Sequence, residues 1–101
     1  MSVAPGHLFI KDPNSELLYH FDWTDWLQTG AEIASYTLTV DPVSAGLTYD
    51  NDAIEAGGKK VQVRVIGGTL GKKYNLECKI VTNETPTQTD ERSVDYQIRD
   101  L

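Results

Sequence analysis

The sequence predicts an all-β fold, an immunoglobulin-like or fibronectin III-like antiparallel β-sandwich of about seven strands. Three observations carry this. Apolar residues recur at every second position in run after run, turn-forming residues separate the runs at short intervals, and no stretch shows a helical repeat. Each alternating run reads as a strand with one buried and one wetted face.

Residues 1–12, through His7-Leu8-Phe9-Ile10, are apolar without clean alternation and read as an N-terminal arm. Such an arm serves as a strand of its own sandwich or adds to a neighbour's sheet edge. Residues 13–101 read as the sandwich domain. Asp12-Pro13-Asn14-Ser15 is a turn leading into Leu17, Tyr19 and Phe21, with His20 and Asp22 on the opposite side. Trp23-Thr24-Asp25-Trp26-Leu27 is expected to form a corner or one helical turn. Its two tryptophans, three apart, would share a side and cap one end of the core.

After Gln28-Thr29-Gly30, Tyr36, Leu38 and Val40 alternate with Ser35, Thr37 and Thr39, and Asp41-Pro42 ends the run. Leu47 and Tyr49 suggest a shorter strand. Ala53-Ile54-Glu55-Ala56 reads as a short turn, N-capped by one of Asp50, Asn51 or Asp52. Ala56-Gly57-Gly58 leads into Val61, Val63 and Val65, alternating with Lys60, Gln62 and Arg64. Gly67-Gly68 and Gly71, expected at positive φ, precede Tyr74, Leu76, Cys78 and Ile80. The polar stretch 83–90, with Pro86, precedes Val94, Tyr96 and Ile98.

A chain of 101 residues suits one domain with its own core. Its net charge of −6, from fifteen acidic and nine basic residues, opposes nucleic-acid binding. The only adjacent basic pairs, Lys59-Lys60 and Lys72-Lys73, flank turns. No apolar run approaches a membrane span, so no membrane partner is expected. Met1-Ser2-Val3-Ala4-Pro5-Gly6 lacks the pattern of a secretory signal, so a cytosolic origin is expected. The single cysteine, Cys78, falls on the apolar face of its strand and is expected to be a buried, reduced thiol.

A search for chemistry comes back empty. No H-x-x-x-H pair or carboxylate-histidine cluster accompanies His7 or His20, and surface histidines are expected. Asp50-Asn51-Asp52 faintly resembles a calcium loop, but the glycine and distal glutamate are misplaced. Gly67-Gly68-Thr69-Leu70-Gly71-Lys72-Lys73 has the composition of a phosphate loop without its spacing, and a strand follows it. Asn83-Glu84-Thr85 matches a glycosylation acceptor, which carries little weight without an export signal. No enzyme activity, cofactor or metal is expected.

Gly71-Lys72-Lys73-Tyr74-Asn75-Leu76-Glu77-Cys78-Lys79-Ile80 resembles the penultimate strand of fibronectin-type and bacterial immunoglobulin-like domains, a likeness that speaks to fold alone. A second resemblance covers nearly the whole chain. Lys11-Asp12-Pro13 running to Phe21-Asp22-Trp23-Thr24-Asp25-Trp26-Leu27 forms one block. Val63-Arg64-Val65-Ile66-Gly67-Gly68 to Cys78, then Asp90-Glu91-Arg92-Ser93 to Arg99-Asp100-Leu101, form two more. In this order and spacing they resemble a family of small phage proteins, the fiber-tail adaptors.

The resemblance implies a tailed-phage virion component, assembled in the host cytoplasm, that docks fibers or other structural proteins onto the tail or neck. Its partners would be tail, neck or fiber subunits, met in several copies of a symmetric assembly. Two other readings stay open: a capsid decoration or cement protein, and a carbohydrate-binding β-sandwich module with Trp23 or Trp26 exposed on a flat face. The resemblance brings no binding residues with it. On physical grounds the candidate partner contacts are Leu8, Phe9 and Ile10 in the arm and Trp23 or Trp26 at the sandwich end. Core capping is the competing reading for both tryptophans.

The alternation at Tyr74–Ile80 makes a prediction. Cys78→Asp would bury an unpaired charge and should cost several kcal/mol in thermal or urea unfolding. Unfolding like the wild type would mean the strand's inner and outer faces are exchanged.

Overall fold

The computed structural model describes residues 8–41 and 46–100. Readings that fall on residues 1–7, on Pro42 or on Leu101 lie outside the described residues. Among the described residues seven strands follow one another: β1 Leu8–Lys11, β2 Glu16–Asp22, β3 Ile33–Asp41, β4 Leu47–Ile54, β5 Lys60–Gly67, β6 Lys73–Thr82 and β7 Thr89–Ile98. They form a four-stranded sheet, in the order β1-β7-β6-β3, packed on a three-stranded one, β2-β5-β4. No helix occurs among the described residues.

The core sits where the period-two pattern is strongest. Val61, Val63 and Val65 of β5 face Tyr74, Leu76, Cys78 and Ile80 of β6 and Val94, Tyr96 and Ile98 of β7, and all are buried. The thiol of Cys78 lies among them, and burial pushes its pKa up to about 12, so it packs as a small apolar group. The inner row of β3, Tyr36, Leu38 and Val40, is only half-buried because β3 is an edge strand.

One pairing departs from the antiparallel expectation: β1 runs parallel to β7. The turn between β1 and β2 explains it. Ser15 N–H donates to the Asp12 carbonyl at 3.1 Å and Asn14 N–H to Asp12 Oδ1 at 2.8 Å. This turn sends the chain from one sheet to the other, so β1 and β2 cannot pair as a hairpin. The backbone of β1 instead pairs with the edge of β7, and Arg99 N–H closes the ladder on the Lys11 carbonyl at 2.9 Å. Lys11 is fully buried, its Nζ donating to the carbonyls of Gly67 at 2.6 Å and Asp12 at 3.0 Å. Burial lowers its pKa, and the carboxylates of Asp12 and Glu16 oppose that.

A second departure concerns residues 50–56. The expected capped turn at Ala53–Ala56 is not there; β4 continues to Ile54 through a register shift between Asp50 and Ala53. Asn51 adopts φ 52° at the bulge, a left-handed conformation asparagine tolerates better than most residues. Asp50 and Asp52, rather than capping a helix, take side-chain partners. Arg64 Nε and Nη2 donate to the two Asp50 oxygens at 2.8 and 2.7 Å, and the Tyr36 hydroxyl donates to Asp52 Oδ2 at 2.7 Å. The chain reverses just beyond, where Gly58 N–H donates to the Glu55 carbonyl at 3.0 Å.

The Gly67-Gly68 turn takes the positive φ expected of it. At Gly68, φ is 105° and a Cβ would stand 2.6 Å from Ile98 Cδ1. At Gly30, φ is 84° with nothing within 4 Å of a Cβ. Gly68→Ala should therefore cost about 2–4 kcal/mol, from strain and overpacking together. Gly30→Ala should cost about 1–2 kcal/mol, from strain alone. Urea midpoints of the two variants check the difference, and equal costs would mean the core gives way freely at Ile98.

Candidate partner-binding site

Strands β1 and β2 are the edge strands on one lateral side of the sandwich. Alternation along β1 turns Phe9 and Lys11 inward and Leu8 and Ile10 outward, beside Asp95 and Gln97 of β7. On β2, Leu17, Tyr19 and Phe21 face inward and Leu18 outward. No described strand lies beyond β1 or β2 on this side, and Leu8 is 54% exposed, Phe9 38%, Ile10 41%, Leu17 37% and Leu18 53%. These are five of the seven large hydrophobic residues exposed among the described ones, the others being Tyr49 and Leu70. Such concentration on two adjacent strands makes this surface the candidate contact site.

The side chains enclose an apolar groove of about 210 Å³ lined by Phe9, Leu17, Leu18, Tyr19 and Tyr96. Phe9 is its centrepiece, edge-on to Tyr19 at 5.7 Å and stacked on Tyr96 at 5.7 Å between ring centroids. From there a row of rings runs inward: Tyr19 to Phe21 at 4.8 Å, then Phe21 to Trp23 at 6.0 Å. Burial raises the pKa of the Tyr19 phenol, with the charge of Arg92 pulling the other way, and burial also raises that of Tyr96.

The row ends in the sandwich interior. Trp23 is 0% exposed, and its indole Nε1–H donates to Asp90 Oδ2 at 2.9 Å. Arg92 lies over the indole at 5.1 Å from the ring centroid, with its Nε 3.5 Å from the same carboxylate oxygen. Asp90 is itself buried, and its Oδ1 has no hydrogen-bond partner among the described residues. Residues 23–27 make the single turn expected of them, with the N–H groups of Trp26 and Leu27 both donating to the Trp23 carbonyl at 3.0 Å. Asp22 starts this turn by accepting the Thr24 N–H at 2.8 Å, and its hydrogen bonds from Thr24 hold its carboxyl below the usual range.

The five sequence-derived candidates thus part company. Leu8, Phe9 and Ile10 are on the surface, in a strand. Trp26 is half-buried against the core. Trp23 has to be corrected as a surface contact: its indole is wholly interior, because Asp90 supplies the acceptor that draws it in. That burial also removes it from any flat sugar-stacking face. Leu17, Leu18, Tyr19 and Tyr96 were missed as groove residues, although two adjacent leucines in an alternating strand signal that both its faces are apolar.

Little else has the makings of a site. His20 is exposed and bonded to Glu55. The outer face of the four-stranded sheet carries Glu77, whose carboxyl is pushed up by partial burial and by Glu91 diagonally across on β7. Among the described residues no group of three or more His, Cys, Asp or Glu side chains could hold a metal ion. Among the same residues no helix is long and apolar enough to cross a membrane. A second, open cleft of about 620 Å³ lies on the opposite lateral side, lined in part by Leu38, Val40, Leu47 and Tyr49.

The molecule is, then, a two-sheet β-sandwich with one apolar lateral edge. Residues 11–97 match the family described as podophage GP4 fiber-tail adaptor protein gp77, and the chain belongs to that family. No curated protein matches the chain. The matched span includes Leu17, Leu18, Tyr19 and both tryptophans and begins just after Leu8, Phe9 and Ile10.

The Trp23–Asp90 contact makes a separable prediction. Asp90→Asn keeps an oxygen acceptor for the indole, whereas Asp90→Ala leaves a buried N–H without one. The alanine variant should be less stable than the asparagine variant by about 1–3 kcal/mol in urea unfolding. Equal stabilities would mean that the indole finds another acceptor.

Proposed function

We propose that this chain is a non-enzymatic structural protein of a tailed-phage virion, an adaptor that docks fibers or other components onto the tail or neck. The family match over residues 11–97 carries the reading. A structural adaptor role in the phage, among tail and fiber proteins, follows from family membership; the docking role is the finer step. The apolar edge of β1 and β2 supports it, since a docking protein needs desolvatable surface. In this reading Leu8, Phe9 and Ile10 contribute to that contact, with Trp26 at the neighbouring corner.

The adaptor works in several copies within a symmetric assembly, and reaches the virion after assembly in the host cytoplasm. Its partners are tail, neck or fiber subunits. Nucleic acid is not among them, because a chain of net charge −6 repels phosphates, and neither is a membrane.

Quantitative mass spectrometry of purified particles, normalised to the portal protein, tests the proposal. The expected copy number equals that of the portal or a small multiple of it. A number approaching that of the capsid protein would make the chain a decoration protein instead.

A further inference from the structure

The two lateral sides of the sandwich are built differently. On one side the edge strands β3 and β4 both carry register shifts, between Ile33 and Ser35 and between Asp50 and Ala53. The outward row of β3 is Ser35, Thr37, Thr39 and Asp41. Bulges and polar rows are the usual means of keeping an edge from pairing with another chain. On the other side β2 runs seven residues, Glu16 to Asp22, in unbroken register with β5, and β1 runs beside it without a bulge. Neither strand holds a proline, and the only lysine in either, Lys11, is fully buried. Bulges are thus confined to one side, and the strands where the exposed apolar residues gather have none.

We infer that the free edge of β2 accepts an extended segment of a partner polypeptide as an added strand. The segment carries apolar residues at alternate positions over the Phe9–Leu17–Tyr19 groove and lysine or arginine opposite Glu16 and Asp22. The inference rests on the adaptor reading and specifies its contact.

Charge selects this occupant. The outward row of β2 is Glu16, Leu18, His20 and Asp22. Arg64 grips Asp50 with two nitrogens and reaches the exposed Glu16 with a third at 3.2 Å, so one cation serves two carboxylates. Lys60 stands opposite Asp22 in the β5 register, on the side away from the free edge. His20 is engaged with Glu55. Among the described residues the free edge therefore offers two carboxylates and one arginine, Arg92, whose guanidinium donates to the Asp22 carbonyl at 2.7 Å. A second copy paired antiparallel over the whole of β2, centred on Tyr19, sets Glu16 against Asp22 at both ends, and like charges directly opposite are destabilising. Two chains of net charge −6 add to that repulsion. A partner strand with cations at those two places turns both clashes into attractions, while the backbone ladder supplies affinity and the groove supplies selectivity.

The test uses the full chain, labelled with ¹⁵N, and a capped seven-residue peptide of sequence lysine, valine, threonine, valine, threonine, valine, lysine. Its pattern reads the same in both directions, so parallel and antiparallel docking are sampled together. The expected result is saturable shifts of the β2 amides and of those at Phe9 and Tyr96. Replacing both peptide lysines by glutamate should weaken binding by about tenfold or more. Leu18→Lys, a change at an exposed position that leaves the core intact, and Leu17→Lys, on the groove side, should each weaken it comparably.

No shift on β2 at millimolar peptide overturns the inference. So do shifts confined to β3 and β4, equal binding of the glutamate peptide, or self-association of the wild type through β2 in ultracentrifugation. Particles separate this inference from the reading beneath it. If Leu18→Lys and Leu17→Lys chains enter particles at wild-type copy number with fibers attached, the β2 contact is wrong and the adaptor reading stands. If the wild-type chain is absent from particles, the adaptor reading falls, and the inference of a virion partner falls with it.

Discussion

Two β-sheets packed face to face share no backbone ladder, so their relative position depends on what side chains do across the gap. Most of that gap here is filled by valine, leucine and isoleucine, whose attraction has no direction. Among the hydrogen bonds that do cross it, the most deeply buried side-chain pair is the indole of Trp23, at the corner that follows β2, bonded to the carboxylate of Asp90 near the start of β7. It is directional, it is buried, and it joins the two sheets. Arg92 covers the same ring and donates to the Asp22 carbonyl at 2.7 Å, so the corner is held from β7 by two residues. A buried carboxylate is costly unless partnered; the indole and guanidinium offset that cost, and the result is one preferred seating of corner on strand.

The position of β7 in turn decides the edge. β7 has β6 on one side, and its other side is taken by β1, the strand that the Asp12–Ser15 turn prevents from pairing with β2. Placing β1 there brings Phe9 over Tyr96 and against Tyr19, which closes the floor of the groove. It also buries Lys11, whose ammonium binds the Gly67 carbonyl at the end of β5 and so ties β1 to the opposite sheet. The exposed Leu8 and Ile10 thus lie on a strand fixed at its C-terminal end.

The parts of this structure that could be read from the sequence are those where one face is dry and the other wet. β5, β6 and β7 alternate cleanly because each is flanked on both sides in its sheet, and their inner residues were legible one by one. β4 was under-read because its bulge at Asn51 interrupts the alternation, so Asp50-Asn51-Asp52 resembled a cap. β1 was hard to read for the opposite reason: Leu8, Phe9 and Ile10 are apolar on both faces, and an exposed edge imposes no alternation. Spacing alone put Trp23 and Trp26 on one side of a turn. It could not say which would be buried, since the deciding partner, Asp90, lies 67 residues away in the chain. Leu18 escaped notice because pattern reading looks for the residues that fit the inward row.

The continuity of the aromatic row bears on how the edge works as a surface. A loop that offered the same apolar residues would have to be ordered on binding, at a cost of about 1–2 kcal/mol per residue in backbone entropy alone. Here the proposed contact residues stand on strands, and the rings beneath them run without a break from Phe9 through Tyr19 and Phe21 to the buried Trp23. A partner laid on the groove rests on side chains whose positions the core has already set, so little of its binding energy goes into ordering this protein. The same arrangement explains why the edge can stay apolar without loosening the fold. The stabilising contacts of the row face inward, and what faces solvent is the remainder that a partner can cover.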